Sequence, residues 1–151
     1  MNLDFVDSDQ VLEQRLGCTI AQFFAREGEN AFRDLEQEVI AELTERASCV
    51  LSTGGGAILR EANRERLRLR TSTVYLHSAP EEVFRRLRYD QTRPLLQVPD
   101  PLARLRELYA ERDPLYRETA HFVIETGRPS VSTLVNMVLS QLALAGIVAV
   151  R

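Results

Sequence analysis

The sequence predicts an α/β fold, with a parallel β-sheet flanked by helices. Short apolar or β-branched segments recur along the chain, and the segments between them show helical periodicity. This alternation is typical of parallel sheets, because each strand needs a crossover connection to reach the next one. The predicted strands are residues 3–6, 49–52, 73–76 and 122–125.

The composition indicates a single globular domain spanning residues 1–151. Of the 151 residues, 44% are hydrophobic and 27% are charged. The net charge of −3 argues against a nucleic-acid partner, since affinity for a phosphate backbone needs excess positive charge. All 19 basic residues are arginine. The absence of lysine excludes Schiff-base chemistry and a phosphate-loop lysine within these residues.

The termini and the cysteines predict a reduced, cytoplasmic protein without a membrane partner. Residues 1–9 are acidic, unlike the basic and then apolar start of a secretory signal. Cys18 and Cys49 form no metal-ligand spacing, so we expect two small, buried thiols and no zinc site. The apolar segment 134–150 is expected to be a helix packed on the domain, because it carries polar residues such as Asn136.

The most regular helical pattern covers residues 29–47. Apolar residues recur there every three to four positions and predict one buried stripe. The stripe consists of Phe32, Leu35, Val39, Leu43 and Ala47. The polar residues between them, Glu36, Gln37, Glu38 and Glu45, are expected mostly to face water.

Prolines mark two further helices. Pro80 suits a first helical turn and opens a helix over residues 81–88, and Pro101 opens another. Asp113-Pro114 is predicted to end or kink that second helix. Residues 88–100, between the two, contain prolines and little periodicity, and predict a mobile lid.

Two aspartates follow the first predicted strand as Asp7-Ser8-Asp9. On an extended backbone, positions two apart project to the same side, with Cα atoms about 6–7 Å apart. The two carboxylates would therefore converge at the edge of the sheet where parallel α/β folds bind ligands. One acid could hold hydrated magnesium while the other accepts a hydroxyl proton. The alternative is that Asp9 or Ser8 only caps a helix over residues 10–16.

Three consecutive glycines, Gly54, Gly55 and Gly56, follow the second predicted strand. Glycine lets the backbone approach a ligand closely and point its N–H groups at oxygen atoms. The pattern favours a cradle for substrate or phosphate, and its alternative is a tight turn from strand to helix.

Three arginines are candidates for binding anions. Glu36, three residues after Arg33, can orient its guanidinium toward a substrate carboxylate, although an exposed pair would be surface decoration contributing about 0–1 kcal/mol. Arg112 is a second candidate, and its alternative is a cation near a helix C-terminus. Arg93, beside Pro94 in the predicted lid, could reach transferring phosphates or be an ordinary loop residue.

Two other groups of side chains receive no catalytic role. The arginines of residues 60–70 are interleaved with Glu61 and Glu65, which predicts a solvated helix face rather than a nucleic-acid patch. His77 and His121 lie at strand margins without the spacing of an acid–histidine pair, and neither is assigned a function.

In their order along the chain, these motifs resemble those of shikimate kinases, from about residue 3 to residue 129. The matching motifs are Asp7-Ser8-Asp9, Gly28-Glu29 with Phe32-Arg33 and Glu36, Gly54-Gly55-Gly56, Arg93-Pro94-Leu95-Leu96, and Arg112 before Pro114-Leu115-Tyr116. The resemblance implies a monomeric phosphate-loop kinase of the nucleoside-monophosphate-kinase type, with strand order 2-3-1-4-5. It would transfer the γ-phosphoryl group of ATP to the 3-hydroxyl of shikimate, with Mg²⁺, in chorismate biosynthesis.

The resemblance also implies a role for each matched residue. Asp9 would bind the hydroxyl and act as base, and Asp7 would lie near the metal. Arg33 and Arg112 would bind the shikimate carboxylate, and the three glycines would line the pocket. The residues placed at the nucleotide are the lid arginine Arg93 on the phosphates, and Arg86, Arg128 and Pro129 at the adenine.

One family element does not occur in these 151 residues. Family members place a strand, a GxxxxGK[ST] loop and a helix, about 25 residues in all, before the Asp-x-Asp strand. We therefore expect an N-terminally truncated shikimate kinase that lacks the central strand, phosphate loop and first helix and is inactive alone. The alternatives are a non-catalytic shikimate-binding homologue and another small-molecule kinase of the same fold.

Overall fold

The computed structural model describes residues 3–46, 48–87, 99–127 and 130–147, in which strands and helices alternate. The strands are β1 (Asp4–Asp7), β2 (Cys49–Ser52), β3 (Val74–His77) and β4 (Phe122–Glu125). The helices are α1 (Ser8–Leu16), α2 (Ile20–Glu27), α3 (Glu29–Leu43), α4 (Glu61–Arg70), α5 (Pro80–Leu87), α6 (Pro101–Thr119) and α7 (Val131–Leu144). The predicted fold class is confirmed.

The described strands form two parallel pairs. β1 pairs with β2 in a register that sets Asp4 opposite Cys49. β3 pairs with β4, and Val74 lies opposite Phe122. β2 and β4 have the predicted bounds, whereas β1 and β3 each begin and end one residue later than predicted.

The chain divides into two compact units, Met1–Thr71 and Ser72–Arg151. β1, β2 and the first four helices belong to the first unit, and the remaining elements belong to the second. Each unit therefore contains one parallel strand pair with its own helices.

The core of the first unit lies between α1, α2 and α3. Its buried side chains are Leu12, Phe23, Phe32, Val39 and Leu43. The rings of Phe24 and Phe32 lie 4.8 Å apart between their centroids. The apolar stripe predicted for α3 is confirmed at the described positions, although α3 ends at Leu43 and Ala47 lies outside the described residues.

The prediction that Glu36 faces water is wrong. Its side chain is 1% exposed, and it accepts a hydrogen bond from Arg33. Helical periodicity places positions 32, 36 and 40 on one face of α3, and positions 32 and 40 are buried. Position 36 is therefore a core position, although the residue there is charged.

The predicted start of α1 is also wrong, because the helix begins at Ser8. Asp7 is its N-cap, and the Asp7 carboxylate accepts a hydrogen bond of 2.9 Å from the amide of Asp9. Neither Ser8 nor Asp9 is the cap. Asp9 lies in the first helical turn rather than on an extended backbone, and Ser8 is fully buried.

In the second unit, α6 runs through Pro114 to Thr119, so of the two predicted effects of Asp113-Pro114, an end or a kink of the helix, the end is wrong. Pro114 and Ala110, whose carbonyl the proline ring leaves without its helical donor, are both exposed. Water can therefore bind that carbonyl, which makes an interior proline tolerable. Pro101 opens α6, as predicted, and the Asp100 side chain caps it.

Three other expectations concern the lid, the cysteines and the C-terminal helix. Residues 88–98 of the predicted lid lie outside the described residues. Cys18 and Cys49 are free and half-buried, so the expectation of two buried thiols is wrong.

The C-terminal helix α7 contacts β4 and buries Leu142. None of the helices in the described part of the chain is both long and apolar enough to cross a bilayer.

Candidate active site

Two side chains of the first unit lie against the glycine loop that follows β2. A Cβ atom added to Gly54 would be 2.8 Å from Oδ1 of Asp9. A Cβ atom added to Gly56 would overlap the guanidinium of Arg33. Gly55, between them, is exposed. The loop is thus a backbone surface against which one carboxylate and one guanidinium are packed, and any larger residue at positions 54 or 56 would displace them.

The surroundings of Asp9 raise the pKa of its carboxyl above the usual value. Burial raises the pKa of Asp9 most, and the nearby carboxylates of Asp7 and Glu13 raise it further. Arg33 opposes these effects by lowering it. A carboxylate that is half-buried and more basic than usual is suited to accept a proton from a substrate hydroxyl.

Arg33 is held from several sides. Its Nη1 donates a hydrogen bond of 2.8 Å to Oε1 of Glu36, and its guanidinium lies 5.2 Å and 5.8 Å from the ring centroids of Phe32 and Phe24. Its Nε is buried and makes no hydrogen bond, with the Glu29 carboxylate 3.5 Å away. The side chain is only 12% exposed, so surface decoration does not describe it. A guanidinium fixed in this way presents a planar fork to an anion.

The residues fit a magnesium ion that arrives with a phosphate, rather than one held by the protein alone. Among the described residues, no group of three or more His, Cys, Asp or Glu side chains could enclose a metal. Mg²⁺ in phosphoryl-transfer sites commonly takes one or two carboxylates, with water and substrate phosphates as its other ligands. The Asp7 carboxylate uses Oδ1 for the cap, and its second oxygen, Oδ2, would be the ligand of the ion.

The second unit contains Arg112 and Arg86. Arg112 lies inside α6, which continues to Thr119, so a position at the helix C-terminus does not explain it. Its Nε is buried and has no hydrogen-bond partner in the described part of the chain. Arg86 donates to the carbonyl of Thr126 at 2.8 Å and to the hydroxyl of Ser78 at 3.4 Å. Those contacts place its guanidinium just beyond the carboxyl ends of β3 and β4.

Sequence reasoning missed a polar network between β3, β4 and α6. Nδ1 of His77 lies 2.7 Å from Oε2 of Glu125, and its Nε2 lies 2.7 Å from the hydroxyl of Tyr109. The hydroxyl of Tyr75 donates to Oδ1 of Asp113 at 2.8 Å. The sequence contained two signals of this network. Tyr75 and His77 lie two positions apart on a strand, and Tyr109 and Asp113 lie four positions apart on a helix.

The remaining predicted nucleotide residues, Arg93, Arg128 and Pro129, lie outside the described residues. The described site residues are therefore Asp7, Asp9, Arg33 and the three glycines in the first unit, and Arg86 and Arg112 in the second.

Comparison with known proteins identifies the family. The family description for shikimate kinase matches residues 1–143 of the chain. The chain belongs to the shikimate kinase family. The shikimate kinase of Paracidovorax citrulli is 61% identical over 150 residues, which cover 97% of this chain and 82% of that protein. The shikimate kinase of Burkholderia thailandensis is 59% identical over 145 residues, with 96% and 79% covered.

Solved structures of shikimate kinases have the same fold. The enzyme from Acinetobacter baumannii, in complex with shikimate, aligns with a TM-score of 0.88 and 46% identity over 95% of this chain and 80% of that one. The enzyme from Bacteroides thetaiotaomicron gives a TM-score of 0.84 and 30% identity, with 96% and 85% covered. The resemblance seen in the sequence motifs is thereby confirmed, and the chain is a member of a family of ATP-using phosphotransferases.

Proposed function

We propose that this shikimate kinase family member transfers the γ-phosphoryl group of ATP to the 3-hydroxyl of shikimate, as a step of aromatic amino acid biosynthesis. One observation carries the proposal. Asp9, whose pKa is raised, and Arg33, fixed by buried Glu36, both pack against the glycine loop after β2. A general base and a carboxylate receptor on one loop suit a small hydroxylated acid. The family relative solved with shikimate supports this choice of substrate.

The proposed chemistry on the substrate side uses four groups. Asp9 accepts a hydrogen bond from the 3-hydroxyl and takes its proton as the oxygen attacks the γ-phosphorus, while the bond from that phosphorus to the bridging oxygen breaks and ADP leaves. Arg33 binds the shikimate carboxylate through its planar fork. Arg112 provides a second guanidinium for that carboxylate, as the family resemblance implies. The glycine loop lines the pocket, because only a residue without a side chain leaves Asp9 and Arg33 in place.

On the nucleotide side, Asp7 is proposed to hold Mg²⁺ together with the ATP phosphates. When bound, the ion neutralises charge that develops on the transferring phosphoryl group. Arg86, anchored at the ends of β3 and β4, is proposed to contact the adenine with Arg128 and Pro129. Arg93 is proposed to reach the phosphates as the lid arginine.

The phosphate loop itself is proposed to come from residues outside these 151. The sequence contains neither lysine nor a GxxxxGK[ST] segment. A phosphate loop needs backbone N–H groups around the phosphates, a lysine at the β- and γ-oxygens, and a hydroxyl on magnesium. The 151 residues by themselves are therefore expected to bind shikimate without turning it over. We further propose a monomeric, cytoplasmic protein with neither nucleic-acid nor membrane partners.

The absence of lysine also favours a second candidate, a shikimate-binding homologue without catalytic activity. The two are separated by assaying shikimate-dependent ADP release with Mg²⁺. The assay compares the 151-residue chain with a version extended upstream by its own reading frame. Activity confined to the extended form supports the kinase, and shikimate binding without turnover in both forms supports the homologue.

Two further arms sharpen this assay. In the extended form, Asp9→Asn is expected to lower turnover at least about a hundredfold, which is the scale of a general base, while nucleotide binding is kept. Near-normal turnover in that variant would leave Asp9 without a catalytic role. Faster phosphorylation of another polyol than of shikimate would instead indicate a different small-molecule kinase of this fold.

A further inference from the structure

The second unit contains a contact between β3 and α6 that no part of the proposed mechanism uses. Tyr75 lies on β3, and its hydroxyl donates a hydrogen bond of 2.8 Å to Oδ1 of Asp113 on α6. Its ring lies 4.8 Å, between centroids, from that of Tyr116. Tyr75 is thus hydrogen-bonded to α6 at Asp113 and packed against it at Tyr116, one helical turn further along.

Asp113 is a well-satisfied carboxylate. It is 15% exposed, and its Oδ2 accepts a hydrogen bond of 3.0 Å from Nε of Arg117. Although burial acts in the opposite direction, the hydrogen bonds from Tyr75 and Arg117 lower the pKa of Asp113. Burial and the same hydrogen bond raise the pKa of Tyr75. At neutral pH the contact therefore joins a neutral donor to a charged acceptor, which is the stronger class of hydrogen bond.

The residues of α6 that contact β3 lie on both sides of Arg112 along the helix axis. Asp113 is its neighbour in sequence, Tyr116 lies one turn after it, and Tyr109, one turn before it, is bonded to His77 on β3. The radius of a helix with its side chains is about 5–6 Å, so a rotation of about 10° moves a side chain by about 1 Å. A displacement of that size exceeds the width of the range, about 2.7–3.2 Å, over which a guanidinium N–H can hydrogen-bond a carboxylate oxygen. The rotation of α6 about its own axis therefore matters for any ligand of Arg112.

We propose that Tyr75 is a positioning residue for shikimate: its hydroxyl, bonded to Asp113, sets the rotation of α6 and so the direction of the Arg112 guanidinium. Tyr75 does not itself bind the substrate. The inference rests on the proposed function, because it takes Arg112 to be a receptor for the shikimate carboxylate. It adds a strand residue to the determinants of substrate affinity.

The test measures the Kd for shikimate by titration calorimetry in a double-mutant cycle. Tyr75→Phe removes only the hydroxyl, and we expect it to raise the Kd about tenfold, the scale of one charge-assisted hydrogen bond lost between Arg112 and the carboxylate. In an Arg112→Ala background, the same change is expected to have less than about a twofold effect. A purely structural role would act equally in both backgrounds and would lower the Tm in parallel.

Two further variants complete the test. Asp113→Asn keeps an acceptor oxygen for Tyr75 but not the charge, so it is expected to raise the Kd less than Tyr75→Phe does, whereas Asp113→Ala is expected to match Tyr75→Phe. Arg106→Ala is the control, because it removes a pair to Glu81 in which both side chains are more than half exposed, and it should leave the Kd unchanged.

The outcomes separate this inference from the proposed function. An unchanged Kd in Tyr75→Phe overturns the inference alone, as does an equal effect in the Arg112→Ala background. If the unsubstituted protein fails to bind shikimate, the proposed function is wrong and the inference falls with it. A normal Kd in the unsubstituted protein, with the effect of Tyr75→Phe abolished by Arg112→Ala, supports both.

Discussion

Glu36 and Arg33 form a hydrogen-bonded ion pair of 2.8 Å inside the first unit, and the Glu36 side chain is only 1% exposed. Both residues lie on α3, three positions apart, so the helix itself brings them together. Arg33 also lies at Gly56 of the loop that follows β2. The buried glutamate therefore connects the core of this unit to the proposed carboxylate receptor.

We expect Glu36→Ala to lower the free energy of unfolding by about 3–5 kcal/mol, because the largely buried guanidinium of Arg33 loses its hydrogen-bonded partner and keeps the exposed Glu29 carboxylate, 3.5 Å from its Nε. It should also weaken shikimate binding, since Arg33 loses the contact that orients it. The matched control is Glu38→Ala, an exposed position on the same helix. Urea unfolding and shikimate titration of both variants measure the two effects, and equal stability of the two variants would contradict this account of the pair.

A Cβ atom at position 56 would occupy the space of the Arg33 guanidinium. We therefore expect Gly56→Ala to raise the Kd for shikimate at least about tenfold, the scale of one charge-assisted hydrogen bond. Gly127→Ala is the control, because an added Cβ there comes no closer than 4.0 Å to a neighbouring atom. Shikimate titration measures both, and equal affinities would show that Arg33 can move aside without cost to binding.

The raised pKa of Asp9 has a consequence for stability as well as for catalysis. Burial, Asp7 and Glu13 make the carboxyl harder to ionise in the folded protein than in the unfolded chain, where its pKa is near 3.8. Below that value Asp9 is protonated in both states and costs nothing. As the pH rises through the folded pKa, ionisation destabilises the native state.

Asp9→Asn is therefore expected to raise the Tm at pH 7, with a gain that shrinks as the pH is lowered toward 4. Melting curves across that range measure the trend. Asp4→Asn, at a carboxylate on the preceding strand that is 84% exposed, is the matched control for the loss of one carboxylate. A lower Tm for Asp9→Asn at pH 7 would mean that the interaction of the charge with the N-terminus of α1 outweighs the effect of burial.

Leu12 is 1% exposed and belongs to the apolar cluster between the first three helices. Leu12→Ala should lower the free energy of unfolding by about 2–5 kcal/mol, through lost burial and the cavity that remains. Leu69, on α4, is 76% exposed, so Leu69→Ala should change the stability by less than about 0.5 kcal/mol. Comparable losses for the two variants in urea unfolding would show that this cluster is not the core of the first unit.

Local patterns in the sequence were sufficient for the fold class and for most of the elements. Alternating apolar runs and helical stripes predicted four strands, of which β2 and β4 have the predicted bounds. The predictions that failed were helix boundaries, whose position depends on a capping side chain or on access of solvent to the backbone. Asp7 rather than Ser8 or Asp9 caps α1, and exposure of Pro114 lets α6 continue past the predicted end.

The sequence also determined the family and the candidate site residues, because motifs and their order along the chain can be recognised without any knowledge of contacts. What only the tertiary structure decided is which polar residues are buried and against what. Glu36 is of a charged residue type that usually faces solvent, and Tyr75 and Asp113 are 38 positions apart in the sequence. The role of Glu36 depends on its burial, and the proposed role of Tyr75 depends on a hydrogen bond between two elements. Packing of β3 against α6 creates that contact only once the chain has folded.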